Sequence, residues 1–112
     1  MRNIMYIVVN QDLNMSQGKV LAQVSHAIFD FCYKYKDNTD YWMDYFKRYG
    51  DTIVVLKAHE KDLLKWEKEG YVSVRDSGYT EVEPDSITAV NLGIYDKDEC
   101  IPKWLQRLRL YK

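Results

Sequence analysis

The stretch Ser16-Gln17-Gly18-Lys19 places a lysine just after a typical start signal for a helix. Ser16 can cap the helix because its hydroxyl accepts a hydrogen bond from the backbone of the first turn, and Gly18 leaves that turn open to close approach. A capping box would place Glu or Gln where Lys19 stands. A cation at the positive end of a helix is unfavourable by about 0.3 to 1 kcal/mol, so Lys19 predicts an anionic group nearby.

Asp76 is the candidate for that anion. It opens the turn Asp76-Ser77-Gly78, and hydroxyl side chains follow at Thr80 and Thr88. A lysine, a carboxylate and hydroxyl groups are parts from which an acyl-ester hydrolase site can be built, with one group orienting water and another stabilising the oxyanion. Two alternatives stay open on spacing alone, since Asp-Ser-Gly is also simply a good turn and a buried Lys–Asp pair can be structural.

The helix that carries Lys19 is expected to continue to about Tyr35, with a core face and a polar stripe almost opposite it. The polar stripe contains Lys19, Gln23, His26 and Asp30, at spacings of four, three and four. Such a stripe usually faces water, so Gln23 and His26 become site candidates only together with Lys19. The predicted core face comprises Val20, Leu21, Val24, Ile28, Phe31, Cys32 and Tyr35.

Apolar runs separated by turn signals predict the other elements. Their order favours a single α/β domain over residues 1–112, in which a mixed four-stranded sheet is flanked by helices and the first crossover is parallel and right-handed. Ligand sites in such sheets lie beyond the carboxyl ends of the strands, where the loop after the first strand and the turn after the third converge. The predicted strands are 4–9, 52–57, 71–74 and 87–94. The remaining helices are predicted from Asn38 or Thr39 to Tyr49, over 59–70 and over 96–105, where Pro102 lies near the start of the helix or marks a break.

Composition excludes several classes of protein. The 112 residues carry two isolated cysteines, which form neither a disulfide framework nor a metal-ligand spacing. A reducing compartment fits best. No apolar run approaches membrane length, and the N-terminal apolar run lacks a cleavage site, so a cytoplasmic location without membrane insertion is expected.

Two sets of motifs resemble the type 2 peptidyl-tRNA hydrolase family, the archaeal and eukaryotic form. They occur in the family's order and span nearly the whole chain. The first set is Asp12-Leu13 with Met15, Gly18-Lys19, Ala22-Gln23 and Ser25-His26-Ala27. The second set is Val54-Val55-Leu56-Lys57, Asp76-Ser77-Gly78 with Thr80, then Pro84, Thr88 and Gly93, and the closing Leu108-Arg109-Leu110-Tyr111.

The resemblance implies a small α/β enzyme that cleaves the ester between peptide and tRNA, freeing stalled tRNA for reuse. It implies no metal and no cofactor, peptidyl-tRNA as the partner, and a homodimer. The catalytic residues that it implies are Lys19, Asp76, Thr80 and Thr88. The expected substrate-binding residues are Gly18, Gln23 and His26 near the site and the basic Lys57, Arg107 and Arg109, candidates for a local patch that contacts RNA. The alternative for the basic C-terminal residues, a terminus that is simply solvated, stays open.

Three residues depart from the family pattern. Tyr79 replaces a usual basic residue, Glu81 a usual Gln and Asp85 a usual Gly, and the chain's net charge of -1 lacks the basic excess typical of RNA binders. Glu81 is therefore expected to lie near the tRNA backbone and to repel it. Two functions stay open: a working hydrolase, favoured by the four implied catalytic residues, and a non-catalytic RNA- or protein-binding module, favoured by the acidic loop.

Overall fold

The computed structural model describes residues 3–38, 40, 52–78, 81–96, 98–99 and 101–112. Two sequence predictions fall outside these ranges. The predicted second helix lies outside the described residues from Tyr41 to Tyr49, and so does the candidate catalytic residue Thr80.

The strands, in chain order, are β1 (Asn3–Asn10), β2 (Thr52–Ala58), β3 (Val72–Asp76), β4 (Ser86–Asp96) and β5 (Arg109–Leu110). They form one mixed sheet in the order β3-β4-β1-β2-β5. β1 and β2 pair in parallel, as predicted, and the other three pairings are antiparallel. The predicted α/β fold with a mixed sheet is confirmed, but the described chain has five strands, not four. β5 is only two residues long, too short for an alternating pattern to reveal it.

Three helices cover the described part of this sheet: α1 (Gln17–Lys34), α2 (Glu60–Lys68) and α3 (Lys103–Gln106). Ser16 caps α1 as predicted, and its Oγ accepts a hydrogen bond of 3.2 Å from the Lys19 amide. The prediction of a final helix over 96–105 is right only in part, since the helix covers Lys103–Gln106 and Pro102 lies just before its start. β4 continues to Asp96, and the helix begins only after Pro102, because proline has no amide to donate to a preceding turn.

Two apolar clusters lie on opposite faces of the sheet. Alternate residues of β1 belong to different clusters, as the two-residue period of a strand requires. The cluster under α1 comprises Met5, Ile7, Ala27, Phe31, Val74 and Ala89. The cluster under α2 and α3 comprises Val8, Leu56, Ala58, Leu63, Trp66, Ile87, Val90, Leu92 and Leu105.

The face that α1 buries overlaps most of the predicted face, since Val20 and Phe31 are buried, but it is not identical to it. Gln23 is buried, whereas Leu21 is 62% exposed, so both of these predictions are wrong. Apolar side chains occur around most of the helix circumference, since Phe29 and Tyr33 are also exposed, and periodicity alone therefore leaves the orientation undetermined. Burial of Gln23 becomes possible because its amide donates to the carboxylate of Asp76.

β1, β2 and β3 run in the same direction, so their carboxyl ends lie at one end of the sheet. β3 reaches Asp76, two residues beyond the predicted end of the third strand, and Asp76 pairs with Ser86. A β-bulge interrupts this pairing, with Thr88 as the extra residue. Bulges bend a strand and redirect side chains, and this bulge lies beside the strand end that carries Asp76.

Candidate active site at the N-terminus of α1

Lys19 and Asp76 form an ion pair where α1 begins and β3 ends. Lys19 Nζ lies 2.7 Å from Asp76 Oδ1, and each side chain is 11% exposed. The predicted anionic partner of Lys19 is thus present, and the two segments expected to converge do converge. The catalytic role of the pair stays a prediction.

The carboxylate of Asp76 accepts hydrogen bonds from three described residues. Oδ1 accepts from Lys19 Nζ at 2.7 Å and from Gln23 Nε2 at 3.2 Å, and Oδ2 accepts from the Gly78 amide at 3.0 Å. The bond from Lys19 is the largest cause that lowers the pKa of Asp76 below its usual value, and it outweighs the opposing effect of burial. Asp76 is consequently ionised at neutral pH, and a carboxylate with a lowered pKa is a weak base.

Glu81 binds the N-cap residue of the same helix. Its Oε1 accepts from the Ser16 amide at 2.7 Å, and its Oε2 accepts from Ser16 Oγ at 2.5 Å. The hydrogen bond from the Ser16 hydroxyl is the main cause that lowers the pKa of Glu81, and the charge of Lys19 contributes. The sequence interpretation missed this contact. Lys19 stands where a capping box has Glu or Gln, and this absence was a signal that another segment supplies the acidic side chain at the N-cap.

Thr88 is fully buried in the bulge of β4, and its hydroxyl donates to the Val74 carbonyl oxygen at 3.2 Å. This contact ties the bulge to β3 two residues before Asp76. Thr88 therefore lies beside the strand that carries Asp76 and has no solvent-accessible surface in this structure.

The candidate substrate-binding residues on α1 separate into two groups. Gln23 turns into the site, and Gly18 is exposed in the first turn, where a Cβ would meet open space. His26 instead lies on the solvent side of the helix, in an open depression that it shares with Phe29 and Asp30. The structure therefore brings Gln23 together with Lys19 and leaves His26 apart.

The basic candidates lie farther from the ion pair. Lys57 and Arg109 are register partners on β2 and β5, and Lys57 lies at the carboxyl end of its strand. Neighbouring strands are about 4.8 Å apart, so the three steps from β3 to β2 place Lys57 roughly 14 Å across the sheet from Asp76. Arg107 ends α3 and borders a cleft with Trp104 under the other face. Only an extended substrate reaches both Asp76 and these residues.

Asp12, part of the first motif set, organises the loop after β1. Its Oδ2 accepts from the Glu60 amide at 2.8 Å, which caps α2, and its Oδ1 lies 2.9 Å from His59 Nδ1. The bond from the Glu60 amide is the main cause that lowers the pKa of Asp12. The neighbouring Asn10 is buried and donates to the Ile87 carbonyl oxygen at 2.9 Å. These contacts fix the loop that leads into Ser16.

The residues that the structure describes contain no group of three or more His, Cys, Asp or Glu side chains placed to hold a metal ion. Among the described helices, none combines the length and the apolar character that crossing a membrane requires.

Comparison with known proteins identifies relatives over nearly the full chain. The family described as peptidyl-tRNA hydrolase PTH2 matches residues 3–111. The peptidyl-tRNA hydrolase of Methanocaldococcus jannaschii is 37% identical over 113 residues, which cover 95% of this chain and 97% of the relative. Those of Staphylothermus marinus and Thermoplasma acidophilum are 35% and 34% identical, over 83% and 95% of this chain and 85% and 96% of the relatives. The chain belongs to the PTH2 family of peptidyl-tRNA hydrolases.

Proposed function

We propose that the protein hydrolyses the ester bond between peptide and tRNA in peptidyl-tRNA and so recycles tRNA. The family match over residues 3–111 and the relatives named peptidyl-tRNA hydrolase support this function. The observation that carries the choice of site is the Lys19–Asp76 ion pair of 2.7 Å at the start of α1. The family and its named relatives do not favour the alternative of a non-catalytic binding module.

Lys19 is the proposed electrostatic catalyst. When water adds to the ester carbonyl carbon, negative charge develops on the carbonyl oxygen, and a largely buried ammonium group beside a helix N-terminus stabilises it. The carbonyl group then re-forms as the bond from that carbon to the ribose oxygen breaks, and the ribose oxygen takes up the proton that the attacking water gives up. Asp76 holds the ammonium group in place through the 2.7 Å contact.

The two threonines have different proposed roles. Thr80 is proposed to orient the water molecule or the ester, on the strength of the family resemblance. Thr88 is proposed as a positioning residue, because its buried hydroxyl binds the Val74 carbonyl oxygen and so fixes the end of β3.

Substrate binding is proposed to extend across the carboxyl end of the sheet. Gly18 and Gln23 flank the reacting ester at the start of α1, and the exposure of Gly18 permits a close approach. His26 contacts the substrate farther along the helix, away from the ester. The phosphates of tRNA are contacted by cations at a distance from the ion pair: Lys57, Arg107 and Arg109.

The protein is also proposed to be a homodimer in the cytoplasm, where peptidyl-tRNA is formed. Leu21, Phe29 and Tyr33 are each more than 60% exposed on one side of α1, an apolar surface that a second copy would cover. Sedimentation of Phe29→Glu against the wild type tests the dimer: conversion to a monomer supports it, and a wild-type chain that sediments as a monomer contradicts it. Cell fractionation tests the location.

The experiment that tests the activity compares an N-acetylated aminoacyl-tRNA with the same aminoacyl-tRNA unblocked. We expect release of tRNA from the blocked substrate only, and we expect it to persist with a chelator present, because Lys19 supplies the positive charge. Equal release from both substrates, or none from either, would contradict the proposed function. Loss of activity with a chelator and its return with a divalent ion would contradict the metal-free site.

A further inference from the structure

We infer that Glu81 is a positioning residue of the hydrolytic site, which it serves by tying the segment after β3 to the N-cap of α1. We call the contact between Glu81 and Ser16 the latch. The inference rests on the proposed function, because it assigns a purpose to a residue that contacts the proposed catalytic machinery rather than the substrate.

The latch reaches Lys19 through the N-cap. Ser16 gives both its amide and its hydroxyl proton to the carboxylate of Glu81, at 2.7 and 2.5 Å. Because the Ser16 hydroxyl donates its proton to Glu81, a lone pair of Ser16 Oγ points to the Lys19 amide and accepts a hydrogen bond of 3.2 Å from it. Glu81 therefore fixes the backbone of Lys19 through Ser16, while Asp76 fixes its side chain.

The segment after β3 is held by hydrogen bonds at several points, of which the latch is one. The Gly78 amide binds Asp76 Oδ2 at 3.0 Å, and the Asp85 amide binds the Asp76 carbonyl oxygen at 2.6 Å. Gly78 has a φ of 82°, and a Cβ there would lie 2.7 Å from Pro84, so the turn is closed without room for a side chain. Gly78 and Glu81, the described residues on either side of positions 79 and 80, are thus both hydrogen-bonded, to Asp76 and to Ser16 respectively.

Charge explains why a carboxylate suits this position. The N-terminus of α1 carries the positive end of the helix dipole and the ammonium group of Lys19, and an anion at Glu81 complements both. A Gln side chain, usual here in the family pattern, has one uncharged acceptor oxygen in place of two charged ones, so it cannot form the same two-oxygen contact with the Ser16 amide and hydroxyl. Glu in place of the usual Gln at position 81 therefore strengthens the contact with Ser16, and its effect is not limited to repelling the tRNA phosphates.

The kinetic test uses Glu81→Ala, Glu81→Gln and Glu83→Ala. Glu83 is exposed on the same segment, so Glu83→Ala removes the same charge without touching the N-cap. We expect kcat on the N-acetylated substrate to fall about tenfold or more in Glu81→Ala, less in Glu81→Gln, and to stay near the wild-type value in Glu83→Ala. Ser16→Ala should lower kcat too, and the double variant Ser16→Ala/Glu81→Ala should lose no more than the worse single variant.

A second readout does not depend on activity. Amide hydrogen exchange measured by NMR should speed up at Ser16 and Lys19 in Glu81→Ala and stay unchanged in Glu83→Ala. An inactive wild type with slow exchange at these amides would contradict the proposed function while leaving the latch intact. Unchanged kcat in Glu81→Ala would overturn the positioning role. If Glu81→Ala and Glu83→Ala lowered KM by the same factor and left kcat unchanged, the positioning role would also be overturned, and Glu81 would act only by repelling tRNA.

Discussion

The N-terminus of α1 gathers three charged side chains within a few ångströms. Lys19, a cation where a helix disfavours one, is offset by Asp76 at its Nζ and by Glu81 at the N-cap. Both carboxyl groups have pKa values below their usual range, mainly because Lys19 and Ser16 respectively donate hydrogen bonds to them. Residues at this site therefore hold one another in place, and only the ammonium group of Lys19 carries charge of the sign that stabilises an oxyanion.

The role assigned to Thr88 is tested by Thr88→Val, which keeps the shape of the side chain and removes its hydroxyl. Since that buried hydroxyl binds the Val74 carbonyl oxygen, we expect the free energy of unfolding to fall by about 1 kcal/mol, and kcat to fall with it. Thr88→Ser, the control, should preserve both. Urea unfolding and kcat measure them, and lost turnover at unchanged stability would show that the hydroxyl acts on the substrate instead.

The contact of Lys19 with Asp76 was predictable from sequence, because an unfavourable cation at a helix start demands an anion and strand ends converge in α/β sheets. The Ser16–Glu81 contact was not predictable in the same way. Capping patterns are local, whereas these two residues are 65 positions apart in the chain. Gln23 was misplaced because its burial depends on Asp76, a partner that helix periodicity does not reveal.

At the scale of elements, the sheet end that carries Asp76 is braced from both faces. On the face opposite Lys19, Arg75 donates from Nη2 and Nε to Glu67 of α2 at 2.8 and 2.9 Å. Ser73 also donates to Glu67, at 2.9 Å. α2 thus fixes the direction of β3 just before Asp76, although none of its residues belongs to the proposed site.

Glu67→Gln tests this brace through its pH dependence. The hydrogen bond from Arg75 is the main cause that lowers the pKa of Glu67. The stability that the ionised Glu67 contributes is therefore complete above the unfolded-state pKa of about 4.3. It is lost as the pH falls through the lower folded-state pKa. We expect the variant to lose about 1 kcal/mol of unfolding free energy at pH 7.

The difference from the wild type should be constant above about pH 5 and shrink below about pH 4. Urea unfolding across this range measures it, with Glu69→Gln as the control, since Glu69 is exposed at the end of the same helix. A difference that does not change with pH would contradict the assigned ion pair.

At the scale of the whole molecule, a chain of net charge -1 must bind a polyanion through a local surface. The positions of four strands along the chain were largely predictable from the apolar runs, yet the fifth strand, which brings Arg109 beside Lys57, was not. Its two residues gain their conformation from backbone pairing with the edge of β2, which no local pattern encodes. The basic surface at that edge is therefore a product of tertiary structure.

Arg109→Ala tests this surface. Loss of one phosphate contact should weaken tRNA binding and reduce the slope of log K against log salt by about 1. Lys68→Ala removes the same charge at the far end of α2, which runs away from the carboxyl end of β2, and should leave the slope unchanged. Binding titrations at several salt concentrations measure the slope, and equal effects of the two variants would refute a local patch.

The turnover of Lys19→Met on N-acetylated aminoacyl-tRNA at saturation tests the proposed site most directly. Asp76 keeps its hydrogen bonds from Gln23 and Gly78, so we expect the variant to fold, as judged by circular dichroism. Its kcat should fall by about a hundredfold or more, the scale for losing one electrostatic donor to an oxyanion. Lys34→Met, which removes a lysine at the other end of α1, should remain near the wild type. A folded Lys19→Met variant whose kcat is within a few-fold of the wild type would contradict the assignment of the site.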